Sequence, residues 1–294
     1  MTKISDKLSY GILFVPWFVL MFVFTFAMAG FNIVVSFTDW RGLIPSFNWA
    51  GFSNYADLPN MTGFWQTLRN VGLLFGIGLP VTVFSAVLLA VFMDTIGGRM
   101  AGVFRSIAIA TMALGGATVA VFWSWMYNFQ YGGINQLFRT FGLDSMAVDW
   151  LGNPDWVMVA VVLMLMWKFV GYGALIVLAG LQGIPKEQIE ASRMEGAHTS
   201  QVYFRILLPQ VYGPILTMAL LLSMFLLKSF NFVWVLTGGG PGWNSTLFPI
   251  LVYRTMFAGS NFAGGAAAAN FMFVIVSVIA IPYMIWSRRE KKAQ

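Results

Sequence analysis

Six apolar runs separated by short polar stretches set the pattern of this 294-residue chain. They fall at about 11–37, 69–93, 104–128, 157–180, 211–236 and 263–286. About 20 apolar residues cross a ~30 Å hydrocarbon core as a helix, and each run is long enough. Lipid offers no partner for an unpaired backbone group, so the runs predict helices. Pro16, Gly76, Gly78 and Pro80 fall inside them and predict bends. The first run follows Lys3 and Lys7 in the manner of a signal peptide, but it continues to about Phe37. That is too long for a signal core, and it reads as a retained first span. No soluble domain interrupts the pattern, so residues 1–294 read as one all-α transmembrane domain.

Charge gives the runs an orientation. Lys3, Lys7, Arg99, Arg105, Lys186, Arg193, Arg205, Arg288, Arg289, Lys291 and Lys292 fall on one side of the six runs. Arg41, Arg69, Arg139 and Arg254 fall on the other. The positive-inside rule places the richer side, and with it both termini, in the cytoplasm. The opposite loops carry Trp40, Trp49, Trp65, Trp150 and Trp156, which suit an interfacial aromatic belt. The net charge of +6 thus belongs to membrane edges and not to a nucleic-acid surface.

Composition excludes several chemistries. With 59% hydrophobic and only 10% charged residues, against about 25% charged in soluble domains, the chain needs lipid as a solvent. There is no cysteine and one histidine, so disulfides, thiolate sites and histidine metal clusters are out. No G-x-x-x-x-G-K-[ST] appears, so the chain carries no phosphate-cradling loop of that kind.

One stretch breaks the apolar pattern: "EASRMEGAHTSQVYFRILLP", residues 190–209, between the fourth and fifth runs. Pro185 can open a short helix, with Glu187 in its first turn where an acid suits the dipole. Gly196 supplies a sharp exit. Thr199 or Ser200 can cap a second short helix, and Pro209 can start the next span. The product is a helix–turn–helix bracket on the cytoplasmic side. From the residues alone it is either a solvated linker or a lever for a soluble partner.

The bracket resembles the signature loop of binding-protein-dependent ABC importer permeases. The match is carried by Glu190-Ala191-Ser192, Gly196, Ile206, Leu208 and Pro209. Ser192 stands where the family has a second alanine, and Glu195 where aspartate is commoner. "SFTDWRG", "GFSNYADL", "FRSIAIATMALGGATVAVFWSWMYNFQYGGIN" and "FNFVWVLTGGGPGWNSTLFPILVYRTMF" resemble the sugar-permease branch of that family, of the maltose and glycerol-phosphate type. The resemblance implies a type I importer permease in a bacterial inner membrane, with six spans and a coupling loop at 185–209. Glu190, Ala191, Ser192, Glu195, Gly196 and Ala197 would then engage a cytoplasmic ATPase. The implied partners are a homodimeric ATPase, a second permease, a periplasmic solute-binding protein and the membrane lipids. ATP and magnesium would belong to the ATPase, leaving this chain without a cofactor or a catalytic residue.

The resemblance also implies a solute path. Related permeases place substrate contacts just before and after the coupling loop, which here singles out Lys168, Tyr172, Ser229 and Asn231. Lys228 joins them because an ionisable residue inside a span is a pathway candidate by default. Tyr172, Trp167 and Phe230 offer flat aromatic surfaces for a sugar. Gly238, Gly239, Gly240 and Pro241 would touch the binding protein, as would the loop around Asp144, Asp149 and Asp155. Two other classes stand beside this one. A secondary transporter would need acids within the spans, and Asp94 lies only at the edge of one. A membrane enzyme would need an acid–base or metal cluster at one face.

Overall fold

The computed structural model describes residues 14–290, with side chains as far as Val278. Lys3, Lys7, Lys291 and Lys292, and the side chains of Arg288 and Arg289, lie outside the described residues. Regular structure among the described residues is helical, with two isolated bridges, Thr38–Trp49 and Arg41–Asn261. The described residues form two compact units, one of residues 14–62 and 251–274, the other of 63–250 and 275–290.

The first unit contains α1 (Phe14–Ser36). It also holds most of α11 (Phe248–Ala258) and the first half of α12 (Phe262–Glu290). α1 buries little and exposes Phe18, Phe22 and Phe26, a surface that lipid accepts and water does not. Asn32 donates to the Asn270 side chain (2.8 Å), and Asn270 donates to both Ser36 Oγ and Tyr55 Oη (3.0 Å each). These bonds tie four polar side chains to one another, as an apolar solvent favours. The run "AGGAAAAN" lets backbones approach closely: a Cβ on Gly265 would sit 2.3 Å from Met256 Cγ. In the loop after α1, Trp49 stacks on Phe37 and is 74% exposed. Ser46 and Asn48 donate to Asp39 and hold its carboxyl below the usual carboxylate range.

The second unit is built around α6 (Val157–Gln182), preceded by α2 (Phe64–Ile96). α6 carries glycines where its neighbours come closest. A Cβ on Gly173 would lie 2.9 Å from Ala86 Cβ of α2, and one on Gly171 would lie 2.9 Å from Ala108 Cα. Small residues therefore let the surrounding helices approach α6 closely at these points. Where Gly76, Gly78 and Pro80 predict a bend, the helix continues through a π turn over Leu74–Gly78. Pro80 has no N–H for the ladder, and the turn absorbs that loss.

Two of the six runs are broken. Run 104–128 consists of α3 (Gly98–Ala113) and α4 (Gly116–Met126), bent by 105°. Leu114 and Gly115 between them are extended. In run 211–236, α9 (Tyr212–Leu227) and α10 (Phe230–Thr237) are separated by Lys228 and Ser229. Sequence expectation had each as one helix, because apolar composition continues unchanged across both breaks. Between α4 and α6 lies α5 (Gly133–Thr140). Asn135 of α5 is buried, donates to Val148 O (2.9 Å) and accepts from Trp150 Nε1 (2.9 Å). Trp150 is thus a core residue, 6% exposed, and not part of an aromatic belt.

Candidate functional site

The bracket consists of α7 (Lys186–Met194) and α8 (Thr199–Gln210). α7 ends in a Schellman motif: Ala197 N–H donates to Ser192 O (3.1 Å) and Gly196 N–H to Arg193 O (3.0 Å). Gly196 has φ +86°, a conformation that a side chain disfavours by about 1–2 kcal/mol. The N-cap of α8 is His198, not Thr199 or Ser200. The Gln201 side chain reaches back to accept from the His198 N–H (3.0 Å). Two closed caps make the elbow stiff without a single ion pair. Glu190, Ala191, Glu195 and Gly196 are exposed, and Ala197 is half-buried. Ser192 faces inward, its hydroxyl donating to Ile189 O (2.8 Å), so the serine that departs from the family pattern is satisfied locally. Beside the acids stands Met194, 89% exposed. Sequence reading passed over it, although an apolar residue opposite the buried Ser192 on so short a helix must point outward.

The far side of the bracket is anchored. Val202, Tyr203 and Leu207 are buried, and Tyr203 Oη donates to Asp94 Oδ2 (2.7 Å) near the end of α2. Asp94, which marked the edge of a span in the sequence, is thereby engaged by a residue 109 positions away.

Lys168 lies on α6 with 5% of its surface exposed. Its ammonium donates to Thr111 O (2.6 Å), Met112 O (3.0 Å) and Leu114 O (2.7 Å). These carbonyls end α3, where the helix has run out of amide donors. A lysine has three donors and a positive charge, which suits the negative end of a helix. Lys168 therefore caps the 105° break. Its cation is bound to backbone.

The second break carries the other candidates. Ser229 is buried and its hydroxyl is bonded to Leu226 O (2.6 Å). Lys228 and Asn231 are exposed, and Tyr172 is half-buried with its ring against Phe225 (5.5 Å). Phe225 also stacks on Phe169, which meets Phe232 edge-on. The two breaks adjoin: a Cβ on Gly116, where α4 starts, would lie 3.5 Å from Asn231 Cβ and 3.3 Å from the Phe232 ring. The structure thus gathers Tyr172, Lys228 and Asn231 near one discontinuity and spends Lys168 and Ser229 on backbone. Trp167 is drawn elsewhere, stacking on Phe122 beside an apolar cavity of about 380 Å³ lined by Phe104, Ile107, Trp123 and Val170. That cavity is lined mostly by apolar side chains, with the hydroxyls of Ser85 and Thr111 among them.

After α10 the glycine run folds on itself. Thr246 Oγ1 donates to Gly239 O (2.8 Å), Ser245 Oγ to Gly240 O (2.7 Å), and Gly239 N–H to Thr237 Oγ1 (3.1 Å). Asn70 at the start of α2 donates to Trp243 O and Thr246 O (2.9 Å each). The Trp243 ring lies against Gly63, where a Cβ would come within 2.3 Å of it. Gly238, Gly240 and Pro241 are half-buried and Gly239 is buried, so the run is a braced platform. Asp144, Asp149 and Asp155 are exposed.

Comparison with known proteins agrees with this architecture. A probable ABC transporter permease of Pyrococcus horikoshii is 39% identical over 96% of this chain and 97% of its own length. The xylose/arabinose import permease of Haloferax volcanii is 32% identical over 93% of this chain and 86% of its own. The crystal structure of a bacterial alginate ABC transporter, in complex with an alginate pentasaccharide-bound periplasmic protein, contains a chain with a TM-score of 0.83 and 22% identity. That match covers 98% of this chain and 96% of the other, and it establishes the shared fold. Residues 71–291, which include both breaks and the whole bracket, match the binding-protein-dependent transport system inner membrane component family, and the chain belongs to it.

Proposed function

We propose that this chain is the permease through which an ATP-driven importer passes a sugar or sugar-like solute, delivered by a periplasmic binding protein, into the cytoplasm. It acts as one six-span permease domain with residues 185–209 as its coupling loop, both termini on the cytoplasmic side, and a second permease beside it. Xylose/arabinose and alginate, the solutes named for two similar proteins, support the saccharide class. ATP and magnesium act in the partner ATPase. Tyr172, Lys228 and Asn231 face the solute, and Lys168 and Ser229 shape the path from behind it. The platform at Gly238–Pro241 and the exposed aspartates receive the binding protein.

The observation that carries this reading is the outward face of the bracket. Acids at Glu190 and Glu195 flank the bare Met194 side chain, on an elbow fixed by a positive-φ glycine. A stiff elbow that presents an apolar side chain among charges suits docking on a partner better than it suits a solvated linker. The closing of a two-state ATPase dimer can then bias two packings of the membrane helices. Because the chain has no cysteine, Met194→Cys gives a single thiol. A membrane-impermeant maleimide should label it in inside-out vesicles and not in intact cells, and added ATPase should shield it. Labelling from outside, or labelling unaffected by the ATPase, refutes the reading.

A further inference from the structure

We propose that the Tyr203–Asp94 hydrogen bond is the strut through which the bracket moves the membrane helices. This rests on the reading of the bracket as the element that docks on the ATPase.

An acid in the last turn of a helix faces the negative end of the dipole and is unfavourable there unless something answers it. Asp94 occupies that position in α2, two residues before Ile96. The answer comes from α8: the buried Tyr203 donates to Asp94 Oδ2 at 2.7 Å. A hydroxyl–carboxylate bond of that length is charge-assisted and among the stronger kinds. Tyr203 belongs to the π turn Val202–Leu207, a widened helical coil. Such turns recur at functional positions.

What the strut pushes on is well defined. α2 meets α6 in direct contact at one level, since Gly173 admits Ala86 where a Cβ would sit 2.9 Å from it. Packed interiors of that kind transmit displacement instead of absorbing it. α6 in turn holds the end of α3 through Lys168. The path from bracket to break is therefore one hydrogen bond, one close-packed helix pair and one cap. Tyr203 and Asp94 are positioning residues and touch no solute.

The test uses the whole importer in proteoliposomes, with spin labels at Phe84→Cys on α2 and Trp125→Cys on α4, both exposed in the chain. MgATP with vanadate traps the closed ATPase, and the label-to-label distance is compared with the nucleotide-free state. The parent should show a nucleotide-driven shift. Tyr203→Phe removes one oxygen and should cut that shift at least threefold while ATP hydrolysis continues. Asp94→Ala should match it, Asp94→Asn should retain most of the shift because an acceptor oxygen remains, and the double variant should be no worse than either single. A bond that only stabilised the fold would lower the melting temperature and leave the shift intact. A full shift in Tyr203→Phe overturns the strut. If Gly196→Pro abolishes the shift while Tyr203→Phe keeps it, the strut fails alone. If Gly196→Pro also keeps it, or the parent shows no shift, the docking role of the bracket falls with it.

Discussion

At the scale of single residues, one backbone angle and one ammonium group carry most of the argument. Gly196 sits at φ +86° with no heavy atom within 4 Å of where a Cβ would be. The space is open and the dihedral is not. Alanine there should cost about 1–2 kcal/mol of local strain and leave the bracket standing. Proline, confined to φ near −65°, cannot adopt it and also deletes the Gly196 N–H that closes the Schellman motif. Gly196→Pro should insert and assemble at near-parent levels, hydrolyse ATP, and lose at least tenfold in uptake per ATP. Its coupling ratio in proteoliposomes measures this, and parent-like coupling would contradict it. The glycine was legible in the sequence, since it follows a helical pattern and precedes a second one. The anchoring of the same bracket was not. Tyr203 and Asp94 are 109 residues apart, and neither carries a local mark of the other.

At the scale of elements, the helices were legible and their interruptions were not. Hydrophobic periodicity marks a run that lipid will accept, and it reads the same whether the backbone continues or turns. The two-residue break after Ala113 is announced only by "LGG", a weak signal, and by a lysine 54 residues downstream of Leu114 whose purpose is visible only in three dimensions. Trp150, which lies in a turn, misled because its partner Asn135 is 15 residues away on α5. Lys168 answers a definite need, since carbonyls freed inside an apolar medium cost about 1–3 kcal/mol each when left unpaired. Lys168→Met should therefore lower the melting temperature of the purified complex by several degrees and cut transport at least tenfold. Lys168→Arg, which keeps the charge but spreads its donors in a plane, should fall between. Thermal unfolding followed by size-exclusion chromatography checks the order. Methionine behaving as lysine would remove the cap from the account.

For the molecule as a whole, a chain of this kind is unfinished by itself. α1 exposes aromatic side chains along its length, Met194 stands bare, and the aspartates at 144, 149 and 155 face outward. Purified from its native membrane in mild detergent, the chain should bring with it a nucleotide-hydrolysing subunit and a second six-span permease. Recovery of this chain alone, active in solute uptake, would favour a secondary transporter instead. The family was legible because the bracket is contiguous in sequence and its glycine and proline keep their spacing. The solute path was legible only in outline, because it is assembled from two breaks that adjoin in space.

The capped break in α3–α4 has one more consequence. A corner in a buried rod is ordinarily wetted, because water is the cheapest donor for loose carbonyls. Here a side chain does that duty, so the donor at the corner is one the chain itself supplies. The angle between the two helices then does not depend on how far the membrane interior is wetted.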